Sequence, residues 1–321
     1  MHAFGSIRVS LLIVMVTGLA SMAVDLAVFK RFDFMPGYFL IAAYLFIART
    51  VAALVAPGVP RLVGAADCLV MTYMALIVVL YVSHQAIAVS SDPIDAMLLA
   101  ADRSLGFDPA AFLSWVNGEA WAEAAFRYAY QTYRFQLIGT AFVLLIWARP
   151  ADVDRFFLAF LLCCLVASAI CAAFPAFGIA VSLDFARDYP NIDPVGLTPV
   201  DAMRRMHGDP AVRIGGEQFR GMISFPSMHA AGGVLVSIAL RHLPLLFWPV
   251  LLINLCMIPA TIPMGGHYLV DALAGVVLAP IAFVAAEALR SRLDPVAARV
   301  FDFAPFAGLR RPKPANRRGA T

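Results

Sequence analysis

Eight apolar segments, each long enough to cross a bilayer, restrict this chain more than any other feature. A spanning helix needs roughly 20 mostly apolar residues, and segments of about that length recur along the whole sequence. They cover approximately residues 8–29, 36–56, 66–90, 130–148, 156–182, 226–242, 245–263 and 268–290. Because lipid offers no hydrogen-bond partner to an open backbone, helices are the expected solution. We therefore predict an all-α polytopic membrane bundle with about eight transmembrane helices.

The composition agrees with a membrane protein. Hydrophobic residues make up 62% of the chain and charged residues 14%, whereas soluble domains average about 45–50% apolar and about 25% charged residues. The net charge of +3 is expected to report where basic loops lie, not a nucleic-acid partner. The five cysteines fall in apolar stretches without CxxC spacing. We interpret them as packing residues and predict no metal site.

The arginine distribution orients the predicted spans. The chain after residue 290 is rich in arginine, and positively charged loops favour the cytoplasmic side of a membrane. Eight spans then place both termini in the cytoplasm. A cleaved signal peptide is the alternative interpretation of the first apolar run, Val9–Val24. Because seven similar segments follow it, we interpret this run as a retained helix.

Two long polar segments, about 91–129 and 183–225, fall on the outer side in this topology. The first carries apolar residues at helical spacing with charged residues between them, which is an amphipathic pattern. We expect it to lie along the membrane surface as a lid or platform. A helix that only packs on the bundle is the alternative.

The segment Ser224–His229 stands where the second outer segment meets the sixth predicted span. Pro226 suits a first helical turn, because its missing N–H would be unpaired there anyway. The amides of Ser227, Met228 and His229 are then expected to point out of the helix end. N–H donors and the helix dipole make such an end favourable for an anion. Ser227 adds a hydroxyl and His229 a titratable ring.

The segment Gly265–Asp271 leads into the last predicted span. Its glycines indicate a tight turn. His267 and Asp271 are four residues apart, so they share one face of a helix and can meet. A carboxylate on one ring nitrogen fixes the tautomer and leaves the other nitrogen as a nucleophile or base.

The predicted topology brings the two segments together. The sixth and eighth spans both begin on the outer side, so His229 and His267 are expected at the same membrane depth. A lone histidine at a helix end is more often an interface residue, and a lone His/Asp pair is as often structural as functional. Their combination beside a helix N-terminus favours a site that handles an anionic group.

These residues resemble the motifs of a known family. Phe225–His229 and Gly266–Asp271 are similar to the second and third signature motifs of the type 2 phosphatidic acid phosphatase superfamily. They are most similar to its inositol phosphorylceramide synthase-like, or inositolphosphotransferase, branch. The segments Asp102–Asp108 and Tyr128–Gln131 also resemble bacterial members of that branch. The resemblance covers about residues 100–280, and its motifs are specific together and weak singly.

The resemblance implies a mechanism that requires no metal or cofactor. His267 would attack phosphorus and form a phosphohistidine, and Asp271 would orient it. His229 would protonate the departing alcohol, while Ser227 and the backbone near Met228 would hold the phosphoryl oxygens. The implied substrate is a phospholipid or polyprenyl phosphate. Capture of the phosphoryl group by a lipid alcohol acceptor, instead of water, would make the enzyme a phosphotransferase.

The basic phosphate ligands of the family's phosphatases are replaced in this chain. Their Lys-x6-Arg-Pro motif has Phe142 at the lysine position, and Arg149 falls on the cytoplasmic side. Their Ser-Arg pair ahead of the nucleophile is replaced by Ala260 and Thr261. Arg220, in the second outer segment, is therefore our candidate phosphate ligand, with a plain loop role as the alternative.

Three regions are predicted from these patterns. Residues 1–90 form N-terminal transmembrane helices, 91–290 a phosphatidic acid phosphatase type 2-like catalytic region, and 291–321 a basic, disordered cytoplasmic tail. We predict a lipid phosphatase or phosphotransferase of the plasma (inner) membrane, with its site facing the periplasm. The alternatives are a lipid transporter or flippase, which buried charges such as Asp25 and Arg49 would serve, and a catalytically inactive scaffold.

Overall fold

The computed structural model describes residues 7–29, 36–56, 58–196, 200–207 and 222–301. Within these ranges the chain is helical and contains no strand, which confirms the predicted all-α class. The α-helices of the described residues are α1 (Arg8–Val24), α2 (Pro36–Val55), α3 (Pro60–Ala88), α4 (Asp95–Ser104), α5 (Pro109–Gly118), α6 (Ala120–Trp147), α7 (Pro150–Ala173), α8 (Phe185–Asp188), α9 (Val200–Met206), α10 (Met228–Leu240), α11 (Pro244–Gly265) and α12 (Leu269–Phe301). A π-helical turn, Asp25–Phe29, extends α1.

Five helices are long and apolar enough to cross a membrane by length and composition. They are Arg8–Ala27, Pro60–Ala88, Pro150–Ala173, Pro244–Gly265 and Leu269–Phe301. Shorter apolar stretches occur in α2 and α10. These helices indicate a membrane protein. The predicted count of about eight spans, the cytoplasmic position of both termini and the three predicted regions stay predictions.

Proline and glycine set several helix boundaries. Proline occupies the first turn of α3, α5, α7 and α11, where its missing N–H costs no hydrogen bond. Gly266 ends α11 in the left-handed conformation with φ of 71°, a common glycine role at a helix C-terminus. Between α10 and α11 the chain turns at Arg241–Leu243, directly before Pro244 in the first turn of α11.

Several predicted boundaries differ from the structure, among them both ends of α7, which spans Pro150–Ala173 and not 156–182. The outer segment 91–129 forms α4, α5 and the first turns of α6, so α6 begins at Ala120 and not near residue 130. At the other end, α12 continues to Phe301, past the predicted end at residue 290. The predicted start of the sixth span is also early, because α10 begins at Met228. Residues 291–301 of the predicted disordered tail form the end of α12, and the rest of that tail lies outside the described residues.

Helix α10 lies at the centre of the bundle and packs against α6, α7, α11 and α12. Small residues permit this close approach. A Cβ at Gly232 would overlap Tyr133 of α6, and a Cβ at Gly275 of α12 would overlap the carbonyl oxygen of Ser227. The glycine contacts therefore bring α6 and α12 against the beginning of α10.

Buried charges in the N-terminal half are used in contacts between helices. Arg49 Nε donates to Asp67 at 2.8 Å, linking α2 and α3. Asp25 accepts from Gln85 at 2.7 Å. Asp154 of α7 is buried and accepts from the backbone at the start of α1, including Ser10 N–H at 2.8 Å. Such pairing is how a buried charge is normally accommodated.

Candidate active site

The start of α10 is tied to α12 through the backbone. Ser227 is the N-cap of α10, and its N–H donates to the carbonyl oxygen of Asp271 at 3.0 Å. Pro226 therefore precedes the helix and does not occupy its first turn as predicted. Because the Ser227 amide is already used, the amides without an intrahelical acceptor at this end are those of Met228 and His229.

His267 lies in the turn between α11 and α12 and is only 4% exposed. Its Nε2 is 3.3 Å from Oγ of the fully buried Ser227. Its Nδ1 is 3.5 Å from Oδ2 of Asp271, in the first turn of α12. The structure thus brings Ser227, His267 and Asp271 together, with the imidazole between the hydroxyl and the carboxylate.

The contact between His267 and Asp271 is loose. A charge-assisted hydrogen bond is about 2.7–2.9 Å long, and within the described ranges neither His267 Nδ1 nor Asp271 Oδ1 has a hydrogen-bond partner. The other carboxylate oxygen accepts from Tyr268 N–H at 3.0 Å. Catalytic hydrogen bonds commonly tighten only when substrate binds. A small movement of the ring would let Nδ1 donate to Asp271 and leave a lone pair on Nε2.

His229 is half-buried in the first turn of α10, between two tyrosine rings of α6. It stacks on Tyr130 with centroids 4.3 Å apart, and Tyr133 lies at 4.5 Å. The Tyr130 hydroxyl is 3.4 Å from His229 Nδ1. A Cβ built at Gly265 would lie 2.9 Å from both that hydroxyl and His267 Cδ2. Tyr130 therefore lies next to both histidines.

Asp102 of α4 caps the helix that carries Asp271. Its two carboxylate oxygens accept from Leu269 N–H and Val270 N–H, each at 2.9 Å. These N–H groups stand in the first turn of α12 and have no intrahelical acceptor. Asp102 is fully buried. Burial raises the pKa of its carboxyl above the usual value, and the two N–H donors act in the opposite direction.

Asp95, two turns before Asp102 on the same face of α4, holds the turn that follows α7. It accepts from Gly178 N–H at 2.9 Å and from the hydroxyl of Tyr268 at 3.2 Å. The next amide, Ile179 N–H, donates to the Gly266 carbonyl at 2.7 Å. Burial raises the pKa of the Asp95 carboxyl. Helix α4 therefore fixes the residues on both sides of His267.

The sequence did not predict these roles for Asp95, Asp102 and Tyr130. The two aspartates are seven residues apart, which puts them on one face of a helix, and that spacing was the available signal. Tyr130 belongs to a segment noted only for its family resemblance. The roles became visible only because the structure brings α4 and α6 to the His267 turn.

The basic ligand for a phosphate is not placed by the structure. Arg220 lies outside the described residues. Arg134 is exposed on α6, with its guanidinium 4.9 Å from the ring of Phe135. In the part of the chain that the structure describes, no arginine or lysine forms a hydrogen bond or ion pair with Ser227 or His267.

Comparison with known proteins gives one finding for this region. A family model described as the PAP2 superfamily matches residues 96–285. The matched range extends from α4 into α12 and contains both histidine-bearing turns. No curated protein and no solved structure matches the chain.

Proposed function

Because this chain belongs to the PAP2 superfamily, we propose that it is a membrane phosphatase or phosphotransferase that acts on a lipid phosphate ester through a phosphohistidine. The observation that carries the proposal is the position of the His267 ring, 3.3 Å from Ser227 Oγ and 3.5 Å from the Asp271 carboxylate. The long apolar helices support a substrate that reaches the site from the bilayer.

In the first step, His267 is the nucleophile. With a proton on Nδ1 facing Asp271, the lone pair of Nε2 attacks phosphorus, and the N–P bond forms as the P–O bond to the lipid alcohol breaks. His229 transfers its proton to the departing oxygen. The two tyrosine rings of α6 that pack against His229 fix the orientation of its imidazole. Covalent catalysis divides one difficult displacement into two easier ones.

The start of α10 supplies the donors for the phosphoryl oxygens in this proposal. The hydroxyl of Ser227 and the amides of Met228 and His229 stand at a helix N-terminus, where donors and dipole favour negative charge. Donors that are already fixed stabilise the charge that develops in the transition state. Arg220 remains our candidate for an additional positive charge.

In the second step, the acceptor takes the phosphoryl group from His267. The acceptor oxygen attacks phosphorus, His229 removes its proton, and the N–P bond breaks. Water as acceptor gives hydrolysis, and a lipid alcohol gives transfer. The low exposure of His267 and Ser227 limits the access of bulk water to the phosphohistidine in this proposal. We place this site on the periplasmic side of the plasma membrane, on the basis of the arginine-rich C-terminal segment.

Labelling with a panel of ³²P-labelled lipid phosphates tests the nucleophile. Purified protein is expected to release or transfer the label and to form an acid-labile phosphoenzyme. His267→Ala is expected to abolish the phosphoenzyme and to lower turnover by about 10⁴-fold or more. His242→Ala, at an exposed histidine beyond the far end of α10, is the matched control. Lipid movement without cleavage, unaffected by His267→Ala, would instead indicate a transporter.

A pair of substrates tests the general acid. His229→Gln is expected to lower turnover of alkyl lipid esters by about 10²–10⁴-fold. The loss should be much smaller with p-nitrophenyl phosphate, because its leaving group departs without a proton. Equal losses on both substrates would contradict this role for His229.

A further inference from the structure

A separate cavity of about 450 Å³ lies at the end of the bundle away from His267. It is bordered by the ends of α6 and α10, the starts of α7 and α11, and Phe283 of α12. Helix α10 has 13 residues and runs from Ser227 to this cavity, a distance of roughly 20 Å at 1.5 Å per residue. The cavity is therefore distinct from the candidate active site.

Positive charge exceeds negative charge in the cavity lining. Arg149, Arg155 and Arg241 line it, together with one carboxylate, Asp152, which pairs with Arg149 at 3.3 Å. Arg155 lies 3.6 Å from Glu287, a carboxylate that also pairs with a neighbouring arginine of α12. Among the described residues, no carboxylate forms an ion pair with Arg241. The lining therefore retains positive charge that its carboxylates do not neutralise.

Phe283 brings two of the arginines close together. The guanidinium carbon of Arg155 is 3.9 Å from the centroid of the Phe283 ring, and that of Arg241 is 5.3 Å from the same centroid. Like charges held this close repel each other, and an anion bound between them would offset the repulsion. Guanidinium groups present paired N–H donors that match phosphate oxygens.

The helix ends at this cavity add to its preference for an anion. Both α7 and α11 begin here, with Arg149 and Leu243 as N-caps. The N-cap of α11 makes no side-chain hydrogen bond. The amides of Leu243 and Leu246 already donate to backbone carbonyls and Pro244 has no N–H, so the first turn keeps the amide of Leu245. Together with three arginines in the cavity, this end provides both charge and donors.

The rim of the cavity is apolar and faces outward. Trp147 is 62% exposed and lines the cavity, and Leu245 in the first turn of α11 is 91% exposed. Tryptophan is enriched where a membrane surface meets water. Basic pockets between transmembrane helices suit lipid head groups. An apolar rim next to a cationic cavity fits a ligand with a phosphate and acyl chains better than it fits free phosphate.

We propose that this cavity binds the phosphate head group of an anionic phospholipid from the leaflet opposite the candidate active site. The proposal does not rest on the proposed activity, because none of the cavity residues belongs to the His267 site.

Lipid retention by the purified protein tests the proposal. Native mass spectrometry and thermal unfolding are measured with phosphatidylglycerol and with phosphatidylcholine of the same acyl chains. We expect phosphatidylglycerol to be retained selectively and to raise the unfolding temperature. The double variant Arg149→Gln/Arg241→Gln should bind about 30-fold more weakly, since each arginine contributes about 1 kcal/mol. Arg61→Gln, at an exposed arginine of α3 outside the cavity, should behave like the wild type.

Three outcomes discriminate further. The double variant with lysine at both positions keeps the charge and is expected to retain the lipid. If the glutamine double variant is unstable, Arg241→Gln alone gives the same readout, because Arg241 is exposed. Unchanged retention in the glutamine variants overturns the proposal. An equal stabilisation by inorganic phosphate also overturns it, in favour of a soluble anion.

Discussion

Two buried aspartates at opposite ends of the bundle each cap a helix to which they do not belong. Asp102 of α4 accepts from two N–H groups at the start of α12, each at 2.9 Å. Asp154 of α7 accepts from two N–H groups at the start of α1, at 3.2 and 2.8 Å. Both satisfy backbone donors that a helix cannot satisfy itself.

The residues next to the two capped turns differ. Asp271 follows directly after the N–H groups held by Asp102, and His267 precedes them. The turn held by Asp154 leads into buried apolar residues of α1, a helix outside the family-matched range 96–285. The same hydrogen-bonding arrangement therefore supports the proposed catalytic residues at one end and apolar packing at the other.

The largest loss of stability and turnover in this comparison is expected at Gly275, where α12, the helix capped by Asp102, approaches Ser227. A Cβ at Gly275 would overlap the Ser227 carbonyl and lie 3.2 Å from Ala230 Cβ. Gly275→Ala should cost about 1–3 kcal/mol through overpacking and lower turnover about 10²-fold through misplacement. Thermal unfolding and lipid-phosphate turnover measure both effects. Gly139→Ala, with no atom within 4 Å of the new Cβ, is the control and should leave both unchanged or slightly raise stability.

Removing the carboxylate of Asp102 tests whether its cap on α12 supports the proposed catalytic residues. Asp102→Ala should lower kcat about 10–100-fold, as loss of a supporting contact does at other sites, with a smaller change in KM. Loss of the cap should cost about 0.5–2 kcal/mol of unfolding free energy. Asp102→Asn retains one acceptor oxygen and should recover part of kcat. A variant that is destabilised but keeps full kcat would show that the cap is only structural.

Asp154→Ala tests whether the cap on α1 contributes to stability and not to turnover. It should also cost about 0.5–2 kcal/mol of unfolding free energy, because two backbone donors lose their acceptor. The kcat of the folded protein should stay within about twofold of the wild type, since His267 lies at the other end of the bundle. Turnover is measured well below the unfolding temperature to separate the two quantities. A loss of kcat equal to that of Asp102→Ala would remove the distinction between the two caps.

The smallest loss of stability is expected at Asp108, which caps the helix that it directly precedes. Asp108 is exposed and accepts from Ala110 N–H at 3.0 Å at the start of α5. Asp108→Ala should cost about 1 kcal/mol or less and leave kcat unchanged. Thermal unfolding and turnover, measured beside Asp102→Ala, show how much of the Asp102 effect belongs to helix capping itself.

Local signals made the central part of the candidate site predictable from the sequence. The four-residue spacing of His267 and Asp271 predicted that the two side chains meet. The structure places them 3.5 Å apart, although His267 lies in the turn before α12 and not on the helix as predicted. Apolar length located the long helices. These features depend on residues that are near each other in the chain.

Long-range contacts left no comparable signal. Asp102 and Leu269 are 167 residues apart, and no local pattern connects a carboxylate to an amide at that separation. The start of α6 was misplaced for a different reason. Charged residues before residue 130 interrupt the apolar run, but the helix continues through them, with Glu123 and Arg127 paired at 3.4 Å across one turn. The use of the Ser227 amide by Asp271 likewise required the packing of α10 on α12.

In the proposed mechanism, the 4% exposure of His267 has a kinetic consequence. A phosphoryl group bound to that ring can depart only during intervals when the covering side chains move apart. The lifetime of the phosphoenzyme would then follow the frequency of these openings, and not the intrinsic reactivity of its N–P bond. A more ordered bilayer that slows the surrounding helices would lengthen that lifetime, whichever acceptor finally receives the group.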